Sequence, residues 1–182
     1  MLSVIISAQT ESSLLARTLS SVVPAIPQGI VRDGWIIDTG SNSEIAAIAD
    51  IAGCFHEKGA ALELLPEIAQ KCASDWLLIL NAGVVLEEGW WREVAEFMEV
   101  YATGQDVNIV AARFVYANQQ YGIRARITEW TAAMAAYVPL VARHKNALIA
   151  RRQSIAGKAI QTFPPGIRGK SITLRAKAII PG

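Results

Sequence analysis

The chain has 182 residues, of which 52% are hydrophobic, with a mean hydropathy of +0.30 and a formal net charge of +1. That length suits one domain with a sizeable core, and no run reaches the ~18 consecutive apolar residues that a membrane-spanning helix needs. The near-neutral total conceals a split: residues 1–112 hold fifteen Asp/Glu and five Lys/Arg, whereas residues 113–182 hold twelve Lys/Arg and a single acid, Glu129.

Leu2 to Ser7 is a short apolar run rich in β-branched residues, and it predicts a buried first strand. With no basic flank before it, this start reads as a strand and not as a signal peptide. Thr10 or Ser12 can cap a helix whose Leu14, Leu15, Thr18, Leu19 and Val22 share one face, closed by Pro24 and Pro27. Trp35 to Thr39 predicts a second strand, followed by a turn over Gly40-Ser41-Asn42-Ser43. Ser43 is then the expected cap of a helix that buries Ile45, Ile48, Ala49 and Ala52 and ends at Gly53. A very short strand at Phe55 comes next, and then a helix from Gly59 to Ala73 in which Pro66 implies a kink or break.

Trp76 to Ala82 predicts the central strand, and a helix from Gly89 to about Ala102 opens behind Glu87 and Glu88. Asn108 to Tyr116 predicts another strand. Alternating strands and helices with short connections imply an α/β fold, a mostly parallel sheet with helices on both faces. Beyond Tyr121 the expectations are an amphipathic helix from Ile123 to Val138, a short strand from Ala147 to Ala150 and a helical turn from Gln153 to Gly157. A last extended or helical piece spans Ser171 to Ile180. Cys54 and Cys72 lack metal-ligand spacing and read as reduced core thiols, which suits a cytoplasmic protein.

Ligands of open α/β sheets bind beyond the carboxyl ends of the strands. Here those ends are Ser7-Ala8-Gln9, Asp38-Thr39-Gly40-Ser41 and Asn81-Ala82-Gly83. Asp38 either accepts hydrogen bonds from a base or sugar or caps the turn that follows it, and Gly40 lets backbone approach closely. His56 and His144 stand alone, and Trp90-Trp91 is expected to send one ring inward. No glycine-rich dinucleotide or P-loop motif occurs.

These strand ends resemble those of family 2 glycosyltransferases. Val4-Ile5-Ile6-Ser7 is similar to that family's opening strand, and Ile36-Ile37-Asp38-Thr39-Gly40-Ser41-Asn42-Ser43 to its V-V-D-G-G-S-T-D turn. Trp76-Leu77-Leu78-Ile79-Leu80-Asn81-Ala82-Gly83-Val84-Val85-Leu86 resembles its W-L-L-F-L-D-A-D-T-x-L segment, and Glu88-Gly89-Trp90 continues the match. The likeness covers residues 2–116 and continues weakly through Asn146 to Arg152. It implies a GT-A fold, a nucleotide sugar as donor substrate, and nucleotide contacts at Ser7, Asp38, Gly40, Ser41, Asn81 and Gly83. In the family a D-x-D pair holds Mn²⁺ or Mg²⁺ against the diphosphate.

The chain departs from that pattern at its charged steps. Asn81 and Gly83 replace the two metal-site aspartates, Ser43 replaces a turn acid, and no later acidic motif follows Glu129. No metal ligand and no catalytic residue are therefore assigned. Arg143, Lys145, Arg151 and Arg152 are cations available to replace the metal at a diphosphate, although solvation at the surface is the more ordinary role for most of them. The expectation is a single domain over 1–182, with a nucleotide-binding half at 1–116 and a shortened, basic acceptor-side half at 117–182. Two functions stay open. One is transfer of a hexose to a hydroxyl with weak or no metal dependence. The other is an inactive interaction module whose basic third, or its helix at Ile123 to Val138, meets an acidic protein partner or the anionic inner face of a membrane. No nucleic-acid partner is expected.

Overall fold

The computed structural model describes residues 1–40, 42–102, 109–118, 147–165 and 170–180. The chain opens with β1 (Leu2–Ala8), buried along its whole length. It continues through α1 (Ser12–Val22), a 3₁₀ turn at Val23–Ala25, β2 (Val31–Asp38), α2 (Ser43–Ile51), β3 (Phe55–Lys58) and α3 (Ala61–Lys71). Then come β4 (Trp76–Asn81), β5 (Val85–Leu86), α4 (Trp90–Ala102), β6 (Ile109–Asn118), β7 (Leu148–Arg151), a 3₁₀ turn at Arg152–Ser154 and β8 (Lys170–Ile180). The helix expected over Ile123 to Val138, together with Ser41, Glu129, Arg143, His144 and Lys145, lies outside the described residues.

One eight-stranded sheet carries these elements in the order β3-β2-β1-β4-β7-β6-β8-β5. The α/β expectation holds: β3, β2, β1 and β4 run parallel, as do β6 and β8, while β7 and β5 run against their neighbours. Alternation along the strands divides the core in two. Val4, Ile6, Ile36, Leu78 and Leu80 face Leu15 and Leu19 of α1, Ile45 of α2 and Val94 and Phe97 of α4. Ile5, Trp35, Ile37, Leu77 and Ile79 face Leu65, Ile68 and Ala69 of α3 on the opposite side. Helices on both faces explain why β1 and β4 read as unbroken apolar runs.

Helix ends differ in detail from expectation. Glu11 occupies the cap position of α1 without a side-chain hydrogen bond. Ser12, expected as a cap, donates instead to Glu44 Oε2 of α2 at 2.5 Å. Asn42 and not Ser43 caps α2, its Oδ1 accepting the Glu44 N–H at 3.0 Å. Gly53, at φ +65°, closes that helix as expected: its N–H reaches the Asp50 carbonyl at 3.0 Å and the Cys54 N–H that of Ala49 at 2.8 Å. Pro66 sits inside α3 without ending it. Loss of one amide donor there is offset by complete burial of Leu65, Ile68 and Ala69.

Two polar devices fasten the sheet. At the amino ends of the strands, Asp33 accepts from Ser3 Oγ, from Trp35 Nε1 at 2.9 Å and from the Ala73 N–H at 3.3 Å. Nearby, Cys72 is 2% exposed and its thiol is pushed up to about 12, first by burial and second by the Asp33 charge. The second device answers a bulge. Arg113 pairs with Thr173 but Val115 with Lys177, so β8 carries extra residues between these rows. The exposed amides of Arg175 and Ala176 are taken by the Glu93 carboxylate at 2.7 and 2.6 Å.

Two outcomes are expected. Glu93→Gln leaves one acceptor oxygen for two amides and loses about 1–3 kcal/mol in urea unfolding. Cys72 stays unlabelled by iodoacetamide at pH 8 until the chain unfolds. Because its folded-state pKa is raised, the stability it contributes is full below about pH 9 and is lost as pH rises towards 12.

Candidate functional site

Parallel pairing sets three strand ends at one level. Ser7 lies opposite Ile37 on β2 and Asn81 on β4, and Ala8 lies opposite Asp38. By alternation Ser7 and Asn81 share the α3 face, whereas Asp38 lies one step on and turns to the face of α1 and α2. The three residues thus meet at one edge of the sheet but from two sides of it. Ser7 is 8% exposed and Asp38 3%, while Asn81 is half-buried.

The loops after β1 and β2 are clamped together above this edge. Ala8 O accepts from both the N–H and the Oγ1 of Thr39, at 2.8 and 3.0 Å. Asn42 Nδ2 donates to Thr10 O at 2.8 Å. Gly40 makes the approach possible, because a Cβ there would stand 1.9 Å from the Gln9 carbonyl oxygen. Sequence reading gave Gly40 a general role in close approach, and the backbone that comes close is the chain's own.

Asp38 divides its oxygens between two tasks. Oδ1 accepts the Gly40 N–H at 2.9 Å, the turn-capping alternative. Oδ2 lies 3.7 Å from His56 Nε2, an ion pair only when the imidazole is protonated. His56 was read as isolated. The signal for it lay in the short strand at Phe55, whose pairing places Ile36 opposite His56 and Asp38 opposite Lys58.

Asn81 and Gly83 part company. Gly83 is buried at φ +97°, and its N–H is held by Thr18 Oγ1 at 2.9 Å and Leu14 O at 3.2 Å. A Cβ there would face the Leu14 side chain at 3.5 Å, inside the packing against α1. A donor set for Mn²⁺ or Mg²⁺ does not fit here: Asn81 offers one amide oxygen and Gly83 only committed backbone. Among the described residues no group of three His, Cys, Asp or Glu could hold a metal.

Of the four cations available for a diphosphate, the two among the described residues, Arg151 and Arg152, are elsewhere. Trp76 opens β4 and pairs with Arg151, so Arg151 and Arg152 sit at the opposite end of the sheet. Arg151 lies 4.7 Å over the Trp76 ring and donates to Tyr101 O. Arg152 donates to Cys72 O and Asp75 Oδ1, both at 3.0 Å. The antiparallel course of β7 is the reason, since it carries its carboxyl end away from the cleft. Trp90 is buried, with Nε1 donating to Ser21 O at 2.9 Å, and Trp91 is half-buried, as expected.

No protein-family model matches the chain, and no curated protein sequence does. Solved structures do match. A mannosyltransferase from Pyrobaculum calidifontis, in complex with GDP-Man and Mn²⁺, superposes with a TM-score of 0.69 at 10% identity, over 98% of this chain and 56% of that one. Glucosyl-3-phosphoglycerate synthase from Mycobacterium tuberculosis, in complex with Mn²⁺, UDP-Glc and phosphoglyceric acid, gives 0.56 at 18% identity, over 84% and 57%. A mycobacterial protein gives 0.64 at 14% identity, over 100% and 65%. The fold is GT-A-like. The chain spans between 56% and 65% of the length of these three structures. Among the described residues, no helix is long and apolar enough to cross a membrane.

Gly40→Ala is expected to drive the β1 and β2 loops apart. The contact is with backbone, which cannot swing aside, so a loss of about 1–3 kcal/mol in chemical denaturation is expected.

Proposed function

We propose that this chain is a family 2-like glycosyltransferase domain that binds a nucleotide sugar where β1, β2 and β4 end. The observation that carries this reading is the register that brings Ser7, Asp38 and Asn81 to one edge of a GT-A-like sheet. Solved structures of that fold hold UDP-Glc or GDP-Man, which supports the ligand class. Asp38 Oδ2, which lies beside His56, is the oxygen offered to the nucleoside, since Oδ1 serves the turn. Ser7 and Asn81 face the other side of the edge, towards the diphosphate and sugar. Residues 1–116 form the nucleotide-binding half and 117–182 the acceptor half of a single domain.

Binding on this reading does not depend on a divalent metal, because the carboxylate pair is missing and position 83 turns inward. Calorimetric titration with UDP, GDP, UDP-glucose and GDP-mannose is expected to detect binding of at least one, with the same affinity with and without Mn²⁺. Asp38→Asn should weaken that binding about tenfold, or ~1.4 kcal/mol. No binding by any of the four removes the nucleotide claim.

One observation favours a second reading, an interaction module without transferase activity. The described residues beyond Ala102 contain neither Asp nor Glu, so no described acid on the acceptor side can take a hydroxyl proton. Release of free sugar or transfer to any hydroxyl acceptor from a bound donor rejects that second reading.

A further inference from the structure

Arg113 stands in the middle of an apolar strand, between Ala112 and Phe114, which are 0% and 2% exposed. The register places it in the row Ile79–Leu148–Arg113, on the α3 face of the sheet. Ser7 and Asn81 lie on this same face, and Asn81 is one outward-facing step beyond Ile79 on β4. At the level of Asn81 on β6 the face opens, for Val115 is 38% exposed.

Arg113 is half-buried, and one nitrogen of its guanidinium is not satisfied within the protein. Its Nε is buried and has no hydrogen-bond partner. Among the described residues the ion pairs join His56 to Asp38, Lys71 to Glu57 and Arg152 to Asp75, and none includes Arg113. An N–H donor buried without a partner carries an uncompensated desolvation cost. A fork of parallel N–H donors is the geometry that phosphate oxygens accept in pairs.

We propose that Arg113 is an anion-binding residue that takes phosphate oxygens of the ligand held beside Ser7 and Asn81. The inference rests on the nucleotide-sugar reading for the identity of that ligand, though not for the existence of the anion site. In this role it supplies the positive charge that the strand end of β4, with Asn81 and Gly83, does not recruit through a metal. The phosphate belongs either to the donor diphosphate or to a phosphorylated acceptor, and the shared chemistry is a phosphate group bound by one half-buried guanidinium.

The test compares wild type with Arg113→Met and Arg113→Lys, by thermal melting without ligand and by titration with pyrophosphate, UDP, GDP and glycerol 3-phosphate. The expected result is that Arg113→Met melts no lower than wild type, since an unpartnered charge is removed while the stem is kept. It binds pyrophosphate and the nucleoside diphosphate at least tenfold more weakly, and Arg113→Lys falls between. Glycerol 3-phosphate that competes with UDP or GDP marks the donor phosphate as the ligand; glycerol 3-phosphate that binds beside them marks an acceptor phosphate. Equal affinities in wild type and Arg113→Met overturn the proposal and leave the nucleotide reading standing. A wild type that binds pyrophosphate through Arg113 but no nucleoside diphosphate keeps the anion site and ends the nucleotide reading. A wild type that binds none of the four, or an Arg113→Met that melts well below it, overturns the proposal.

Discussion

Pairing of β1 with β2 on one side and β4 on the other is what every functional argument here depends on. Parallel neighbours cannot be joined by tight turns, so each needs a crossover, and the helices α1, α2 and α3 supply them. All three strands therefore release their chain at the same edge. Inside the sheet, side chains are apolar and buried from two sides, and β1 has no exposed residue. At the carboxyl ends of these strands polar groups collect at Ser7, Asp38 and Asn81. A one-residue slip of β1 would bury Ser7 on the wrong face and expose Ile6, which the two-sided core forbids.

That edge is held by short polar contacts and not by bulk. Thr39 and Asn42 reach across to the β1 loop, Ser12 reaches to Glu44, and Gly40 lies against Gln9. The clamp fixes the start of α1, and α1 in turn fixes Gly83 through Thr18 and Leu14. Position 83 is thus part of the packing between the β4 loop and α1. A carboxylate placed there would need both a strained backbone and room among apolar side chains. The missing acid and the positive φ at Gly83 are consistent with each other, two aspects of one local arrangement.

Much of this was legible in the sequence, for identifiable reasons. β4, the middle of β1 and the second half of β2 announce themselves as short apolar runs, because burial on both faces leaves little room for polar residues. That their carboxyl ends share one edge follows from the parallel pairing that short connections and helical crossovers favour. Caps were less legible: Ser12, Asn42 and Ser43 are all good cap residues, and the choice among them is made by contacts between loops. At Pro66 only the local cost was legible, and the tertiary burial that keeps its helix whole was not. The placement of Arg151 and Arg152 was not legible, because strand direction is not written in a four-residue strand. β7 runs against β4, and this turns its arginines towards Trp76 and Asp75. His56 was passed over because its link to Asp38 depends on the pairing of β2 with β3.

The electrostatics of the edge follow from these placements. A diphosphate brought to the ends of β1 and β4 carries charge that must be met by a metal, by cations or by oriented backbone dipoles. The first is disfavoured by the donors present, and the arginines after β7 are committed to the far end of the sheet. Charge separation in the sequence then acquires a structural meaning. The acid-rich first part builds the helices and the Asp33 and Glu93 fasteners, where carboxylates accept backbone and side-chain donors. Beyond it, Arg113 on β6 is the first basic residue of the acid-poor part, and it enters the sheet on the face that Ser7 and Asn81 occupy. The buried, unpaired Nε of a half-buried arginine sits there at a cost, and an anion is the kind of partner that would offset it.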